Sequence, residues 1–250
     1  MPSPLVFLQI TDLHILAESG QTMAGINTEA IFQQVLKAAH KQHGKVDCIL
    51  VTGDLAQSPC QSSYQRISHE LSKYKTHTLC LPGNHDDLAL MQQFINAKNI
   101  SCDKQMEFDH WQLISLNSKK EGEQGGYLAK SELELLENTL LNQPSLNAII
   151  AVHHHPVPSN SSWMDTMMIE NSDALFSTLK KHPQVKAIVC GHIHQQLEIT
   201  KNNIQILGTP ATCFQFKPKC NEYTLDDEKP GYRIIKLYPD GVVQSKVYRL

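Results

Sequence analysis

Five short polar clusters punctuate the chain, each directly after an apolar run: Asp12-x-His14, Gly53-Asp54, Gly83-Asn84-His85-Asp86, His153-His154-His155-Pro156 and Gly191-His192-x-His194. Carboxylate, imidazole and amide oxygen are metal-ligand types. A mixture of oxygen and nitrogen donors suits Mn, Fe or Zn better than Ca or an all-oxygen Mg site. Asp12 and His14, two positions apart, would present both side chains on one side of an extended strand end and grip one ion, and His192 and His194 repeat that spacing for neighbouring ions. Asp54, with two oxygens at a strand end, is the natural bridge between ions ~3.5–4 Å apart, the separation usual in two-metal phosphotransfer sites. Asn84 would bind through its neutral amide oxygen. Two divalent ions set against Asp12 and Asp54 leave a surplus of about +2, which can hold a hydroxide and a phosphate ester anion. The chemistry implied is that of a two-metal hydrolase.

Each cluster also has an ordinary structural reading. An isolated Asp-x-His or Gly-Asp is most often a turn or surface feature, and Gly-Asn-His-Asp reads as a polar turn with Asp86 or Asp87 capping the next helix, the role given to both here. The run His153 to His155 offers one ligand, with its other members packed around it. His40, His43, His69, His77, His110 and His182 fall in polar helix or loop contexts and read as surface residues. The conjunction of five clusters, each after an apolar strand, carries the metal reading. Gly53, Gly83 and Gly191 fit it, since each precedes a ligand where the backbone must turn or approach too closely for a Cβ.

Ligands so far apart in sequence must be gathered by the ends of neighbouring strands. Apolar runs predict strands at Leu5–Ile10, Cys48–Val51, His77–Leu81, Ala148–Val152 and Val185–Cys190, one before each cluster. Helices are predicted from Asn27 or Thr28 to His43, with Ile31, Val35, Ala38 and Ala39 inward and Gly44 as stop, and at Gln61–Leu71, Leu88–Ile95 and Asp173–Lys181. A further helix to Leu141 would open on the capping box Ser131-x-x-Glu134. Phe108–Leu116 reads as a hairpin around Asp109-His110. From about residue 195 the chain turns β-rich, with strands at Ile204–Leu207, Tyr232–Tyr238 and Val242–Tyr248, the last two joined by the Pro239-Asp240-Gly241 turn.

With 250 residues, one domain over 1–250 with a β-rich segment at about 195–250 is expected. A net charge of −3 and the lack of a Lys/Arg-rich stripe disfavour nucleic acid as a partner. Seven cysteines without CxxC spacing, mostly inside apolar runs, read as reduced core thiols. No apolar stretch is long enough for a membrane span or secretory signal, so a cytoplasmic location without a membrane partner is expected.

The segments LQITDLH, VTGDLAQ, LPGNHD, VHHHPVP followed by SSWMD, and CGHIHQ form the motif set of the calcineurin-like metallophosphoesterases, which the chain resembles from Gln9 to Leu250. The tail, TPATCFQFKPKC with PGYRI, narrows the resemblance to class III cyclic-nucleotide phosphodiesterases of the bacterial 3',5'-cyclic AMP type. The resemblance implies a four-layer α/β/β/α sandwich with the site at strand ends. It implies two divalent ions, Fe and/or Mn first and Zn next, one held by Asp12, His14, Asp54 and His194 and the other by Asp54, Asn84, His153 and His192. His153 is preferred to His154 because its position matches the first His of the family motif.

His85 is then not a ligand but the general acid or phosphate-orienting group, and with Asp54 forms the catalytic pair. His14, Asp54, Asn84, His85 and His194 would surround the substrate phosphate. The implied reaction is in-line attack of a metal-bridging hydroxide on 3',5'-cyclic AMP, giving 5'-AMP and lowering cellular cyclic AMP. The same ligands would serve a broader phosphodiesterase or phosphatase acting on other cyclic nucleotides or glycerophosphodiesters, and a metal-free relative would be a non-catalytic scaffold. Monomer and homodimer are both open. The β-rich tail could close over the site or pair two chains.

Overall fold

A computed structural model describes residues 3–250. Met1 and Pro2, included in the expected 1–250 span, lie outside the described residues. The chain runs β1 (Leu5–Ile10), α1 (Thr28–His43), β2 (Cys48–Thr52), α2 (Gln61–Ser72), β3 (His77–Leu81), α3 (Leu88–Phe94) and the short β4 (Ile100–Ser101). It continues through β5 (Gln105–Glu107), β6 (Trp111–Ser115), α4 (Lys130–Asn142), β7 (Asn147–Ala151), α5 (Ser162–Asp165), α6 (Ser172–Leu179) and β8 (Val185–Cys190). The end of the chain is all strand: β9 (Leu197–Lys201), β10 (Ile204–Gly208), β11 (Gln215–Phe216), β12 (Leu225–Asp226), β13 (Gly231–Leu237) and β14 (Val243–Arg249).

These strands form two six-stranded mixed sheets, ordered β14-β13-β1-β2-β3-β4 and β5-β6-β7-β8-β10-β9, and a separate β11-β12 ribbon. Period-two alternation sorts each strand between layers. On β1, Leu8 and Ile10 face α1 to α3 and pack with Phe32, Leu36 and Tyr64. Phe7 faces the other way, into a middle layer where Leu50, Leu79, Trp111, Ile149, Val189 and Ile235 join the two sheets. Helices α4 and α6 cover the second sheet through Leu136, Leu140, Leu175 and Phe176. The result is an α/β/β/α sandwich, as expected. Each fully buried large apolar side chain contributes about 1.5–3 kcal/mol, so the three apolar layers dominate the stability.

Strands β1, β2 and β3 are parallel neighbours in the first sheet, and β7 and β8 are parallel neighbours in the second. Their carboxyl ends therefore gather at one edge of the sandwich, and every polar cluster starts there. Gln9, fully buried in the middle layer, ties this edge together: its amide nitrogen donates to Thr52 Oγ1 (3.0 Å) and to the Cys190 carbonyl (3.1 Å), and its oxygen accepts from Thr209 (2.7 Å).

Several local expectations need correction. Ser131-x-x-Glu134 is not a capping box. The N-cap of α4 is Ala129, Ser131 lies inside the first turn, and Glu134 instead sits 3.4 Å from Lys130. The buried face of α1 is Thr28, Phe32, Val35, Leu36 and Ala39, so Ile31 and Ala38 flank it rather than centre it. The hairpin at Asp109-His110 begins earlier, at Gln105, and pairs β5 with β6. His182 is buried at 6 % exposure, while His40, His69, His77 and His110 are exposed as expected and His43 packs half-buried against Tyr232 and Tyr248. All seven cysteines are free. Among the described residues, no helix is long and apolar enough to cross a membrane.

Candidate metal centre

The strands end just before the clusters, and the chain then leaves the extended conformation. Asp12 (φ 54), His14 (φ 46), Asp54 (φ 51), His192 (φ 67) and His194 (φ 47) all occupy the left-handed region. The expectation that Asp12 and His14 share a side because they continue an extended strand is therefore wrong in its reason. They converge because each adopts a left-handed turn while the intervening Leu13 is fully buried. For residues with a Cβ, each such conformation costs roughly 1–2 kcal/mol, so five of them at one edge mark a place where the rest of the fold holds strain.

Glycines make the close approach feasible. A Cβ on Gly83 would collide with the Asp54 carboxylate and backbone nitrogen, and one on Gly191 would collide with Thr11 Oγ1 and Asp12. Gly83 follows β3 and Gly191 follows β8, and each lets its loop close on the residues just past β2 or β1.

Second-layer hydrogen bonds fix the imidazoles. A carbonyl oxygen can only accept, so His153 Nδ1 donates to the Thr52 carbonyl (2.8 Å) and His194 Nδ1 to the Phe214 carbonyl (2.8 Å). His14 Nδ1 likewise meets Gln57 Oε1 at 2.7 Å. In the neutral form each Nε2 is then a lone pair turned inward. His14 Nε2 and His194 Nε2 lie 3.2 Å apart, and His153 Nε2 lies 3.1 Å from Asn84 Oδ1. The Asn84 oxygen faces inward because its amide nitrogen donates to Gln124 Oε1 (2.9 Å). His192 Nε2 is buried without any partner. Acceptors facing acceptors in a buried space require positive charge between them, and this donor set fits metal ions.

The carboxylates complete the constellation. Asp54 Oδ2 is 3.7 Å from His14 Nε2 and 3.4 Å from His153 Nε2, and so reaches both halves of the site. Asp12 Oδ1 is 3.4 Å from His194 Nε2, and its carboxylate accepts from the His192 backbone N–H (3.0 Å). Donor atoms of Asp12, Asp54 and His153, and of His14, Asp54 and His85, fall within 4.8 Å of one another. The structure thus brings together all of Asp12, His14, Asp54, Asn84, His85, His153, His192 and His194.

Charge follows geometry. Burial opposes ionisation of Asp54, but His153, His14 and His85 outweigh it and hold the carboxyl well below the ordinary range. Burial likewise opposes Asp12, and His194 brings it down. Burial works against the charged form of His153, yet Asp54 and Asp12 raise it to about 9, and Asp12 raises His194 well above the usual value. His14 is pushed by burial down to about 4. Without an ion the site therefore keeps protons on His153 and His194, at the positions where the lone pairs would meet a cation.

His154 and His155 stand apart. His154 Nε2 donates to the Gln124 carbonyl (3.1 Å) and Nδ1 meets Ser118 Oγ (2.7 Å), so no lone pair is left to offer. His155 Nε2 lies 3.4 Å from Asp165 Oδ1. Asp87 caps α3 by accepting from Leu90 N (3.0 Å), as expected. Asp86 does not cap. Fully buried, it accepts from the backbone N–H groups of Gly83 (2.9 Å), Leu55 (3.0 Å) and Ala56 (3.1 Å) and from Tyr64 Oη (3.0 Å), and so binds the loop after β3 to the loop after β2.

His85 is partly exposed at the mouth. Its backbone N–H donates to Asp54 Oδ1 (2.9 Å) and its Nδ1 to the Gln57 carbonyl (3.2 Å), which leaves Nε2 free. The cleft above has a volume of about 190 Å³ and is lined by the polar His14, Asn84, His85 and Gln124 and by the aromatic Trp163, Phe214, Phe216 and Tyr223. Gln57, Gln124 and the aromatic wall have no assigned role in the sequence reading. Gln57 lies in the segment VTGDLAQ, while Trp163, Phe214 and Phe216 lie in SSWMD and TPATCFQF, so the signal was present as position in a motif, without a spacing that identifies chemistry.

The sequence profile of the calcineurin-like phosphoesterases matches residues 5–196. The chain is 38% identical over 244 residues to the 3',5'-cyclic adenosine monophosphate phosphodiesterase CpdA of Escherichia coli strain K12, covering 97% of this chain and 89% of that protein. It is 36% identical over 247 residues to a 3',5'-cyclic-nucleotide phosphodiesterase of a Nostoc species, covering 99% of this chain and 93% of that one. Among solved structures, a dimetal phosphatase from Danio rerio superposes with a TM-score of 0.65 at 12% identity, covering 99% of both chains, a likeness of fold.

Proposed function

We propose, from the premise that the chain belongs to the calcineurin-like phosphoesterase family, that it hydrolyses 3',5'-cyclic AMP to 5'-AMP and so lowers cyclic AMP. The observation that carries the substrate is the 38% identity to CpdA across 97% of the chain, which includes the cleft walls and the tail as well as the shared metal motifs. Asp12, His14, Asp54 and His194 would hold one ion and Asp54, Asn84, His153 and His192 the other, Fe and/or Mn first and Zn next. When bound, the ions supply Lewis acidity toward the phosphoryl oxygens and lower the pKa of water.

The chain's own residues do the rest. Asp54, whose Oδ2 reaches His14 Nε2 on one side and His153 Nε2 on the other, would help to hold both ions. Asn84 adds an oxygen donor without adding negative charge, which preserves the attraction for a phosphate diester. His85 is held by two hydrogen bonds with Nε2 toward the cleft, where, as the imidazolium, it can give its Nε2 proton to the departing 3'-oxygen and keep the Nδ1 proton on the Gln57 carbonyl. Gln57 positions both His14 and His85, one through its side chain and the other through its carbonyl.

Comparing hydrolysis of 3',5'-cyclic AMP, 3',5'-cyclic GMP, 2',3'-cyclic AMP and a generic aryl diester by Mn-loaded protein tests the substrate. Preferred turnover of 3',5'-cyclic AMP is expected. Equal rates on all four would favour a broad phosphodiesterase, and turnover of none together with no bound transition metal would favour a scaffold.

A further inference from the structure

We infer that the aromatic wall formed by Trp163, Phe216 and Tyr223 is a base-stacking subsite that selects a purine nucleotide and fixes which end of it enters the cleft. The inference rests on the phosphodiesterase reading above for the position of the phosphate, and adds the residues that grip the base.

The wall is continuous with the candidate metal centre. Phe216 lies with its ring 4.3 Å from that of His194 at 22°, nearly stacked on a proposed ligand. From Phe216 the aromatic surface extends to Trp163 at 5.1 Å and to Tyr223 at 5.3 Å, and Trp163 and Tyr223 close the triangle at 5.4 Å. All three line the cleft that also contains His14, Asp54 and Asn84. One end of the cleft is thus polar and built for an anion, and the other is an apolar corner of three rings set at 65°, 73° and 80° to one another, so that a base lying flat on one ring meets the edges of its neighbours. A nucleotide has that same division between phosphate and base.

Two further features favour a ligand over simple packing. Tyr223 is 58% exposed although it is large and aromatic, so the wall reaches solvent uncovered. The wall is also held in place from behind. Trp163 belongs to α5 and Phe216 to β11, and the loop that follows β11 is tied to α5 by Ser162 Oγ donating to Asn221 Oδ1 (3.0 Å) and by the Cys220 N–H donating to Ser161 Oγ (3.4 Å). Asp165, accepting from Ser159 N and Oγ at 2.7 Å each, fixes the start of α5. A surface that is rigid before the ligand arrives loses less on binding. Every base has a π-face, but the two-ring purine, stacked on one ring of this corner, reaches the edges of the other two better than a pyrimidine does.

The test combines binding and turnover in the full-length metal-loaded protein. Trp111 is buried between the sheets, so quenching of tryptophan fluorescence by added ligand reports Trp163. Wild type is expected to bind 5'-AMP roughly 5- to 150-fold tighter than ribose 5-phosphate, the range of one base–aromatic stack. Tyr223→Ala and Trp163→Ala, the latter read by turnover, should raise KM for 3',5'-cyclic AMP by a similar factor with kcat within about 3-fold, and Tyr223→Phe should restore the wild-type KM.

Equal affinity for 5'-AMP and ribose 5-phosphate would overturn the subsite while leaving cyclic AMP turnover intact. A variant whose kcat falls in step with kcat/KM, without a base-dependent KM, would assign these rings to packing and overturn it equally. Base-dependent binding without cyclic AMP turnover would support the subsite and reject the phosphodiesterase reading.

Discussion

Asp54 and His85 share a hydrogen bond, yet their removal has different consequences. Asp54 reaches the imidazoles of both halves, so Asp54→Ala should lose at least one ion, read as metal per chain by elemental analysis. His85 touches no proposed ligand through its free Nε2, so His85→Ala should keep both ions and slow turnover by roughly 10² to 10⁴. Metal lost from His85→Ala would make it a structural residue or a ligand. Protons compete with ions at the same atoms. His153, raised to about 9, and His194, raised well above its usual value by Asp12, carry protons at neutral pH in the ion-free chain, and each proton must leave when its lone pair is used. Metal affinity is therefore expected to rise with pH up to at least about 9, measured by competition with a chromophoric chelator. An affinity independent of pH between 6 and 9 would contradict this placement of the ions.

Two loops carry most of the centre, and Asp86 joins them. Asp86→Ala would leave three buried backbone N–H groups and the Tyr64 hydroxyl without an acceptor, at a cost of at least about 3 kcal/mol. Burial and the nearby Asp54 raise the Asp86 carboxyl to about 6, so part of its charge is itself costly at neutral pH and Asp86→Asn should lose less than Asp86→Ala. Thermal denaturation of the two variants, with a larger fall in Tm for Ala, checks this. At this scale the sequence was only partly legible. Asp86 reads as a helix cap because it sits one residue before the true cap, Asp87, and nothing local distinguishes a carboxylate that bonds its own helix from one that reaches across to Leu55. Ser131-x-x-Glu134 failed for a related reason: α4 is capped two residues earlier, at Ala129, and a capping motif cannot specify its own register. By contrast, Asn27 and Gly44 bound α1 correctly because both act within a few residues of themselves.

Across the whole molecule, strands β1, β2, β3, β7 and β8 were legible as apolar runs because both faces of each are buried, and the clusters were legible because each sits just past a strand. What could not be read locally was the left-handed backbone at Asp12, His14, Asp54, His192 and His194, which the packed edge of two sheets imposes, or the aromatic wall, which depends on α5 and the loop after β11 meeting through Ser162 and Asn221. The tail divides: β13 and β14 extend the first sheet beside β1, while β11 and β12 supply the cleft wall. Because Phe7, Trp111 and Ile235 share the middle layer with both sheets, we propose that residues 1–250 unfold as one domain. Calorimetry should give one transition, moved upward by added metal as ligand linkage requires. Two separable transitions would refute a single domain.

The central claim, a two-metal phosphodiesterase that opens the 3' bond of 3',5'-cyclic AMP, is tested most directly by following that substrate with ³¹P NMR in the presence of protein and stoichiometric Mn. The cyclic diester signal is expected to be replaced by 5'-AMP alone, with conversion abolished by chelator. Formation of 3'-AMP, or an unchanged spectrum from protein shown to carry both ions, would contradict it.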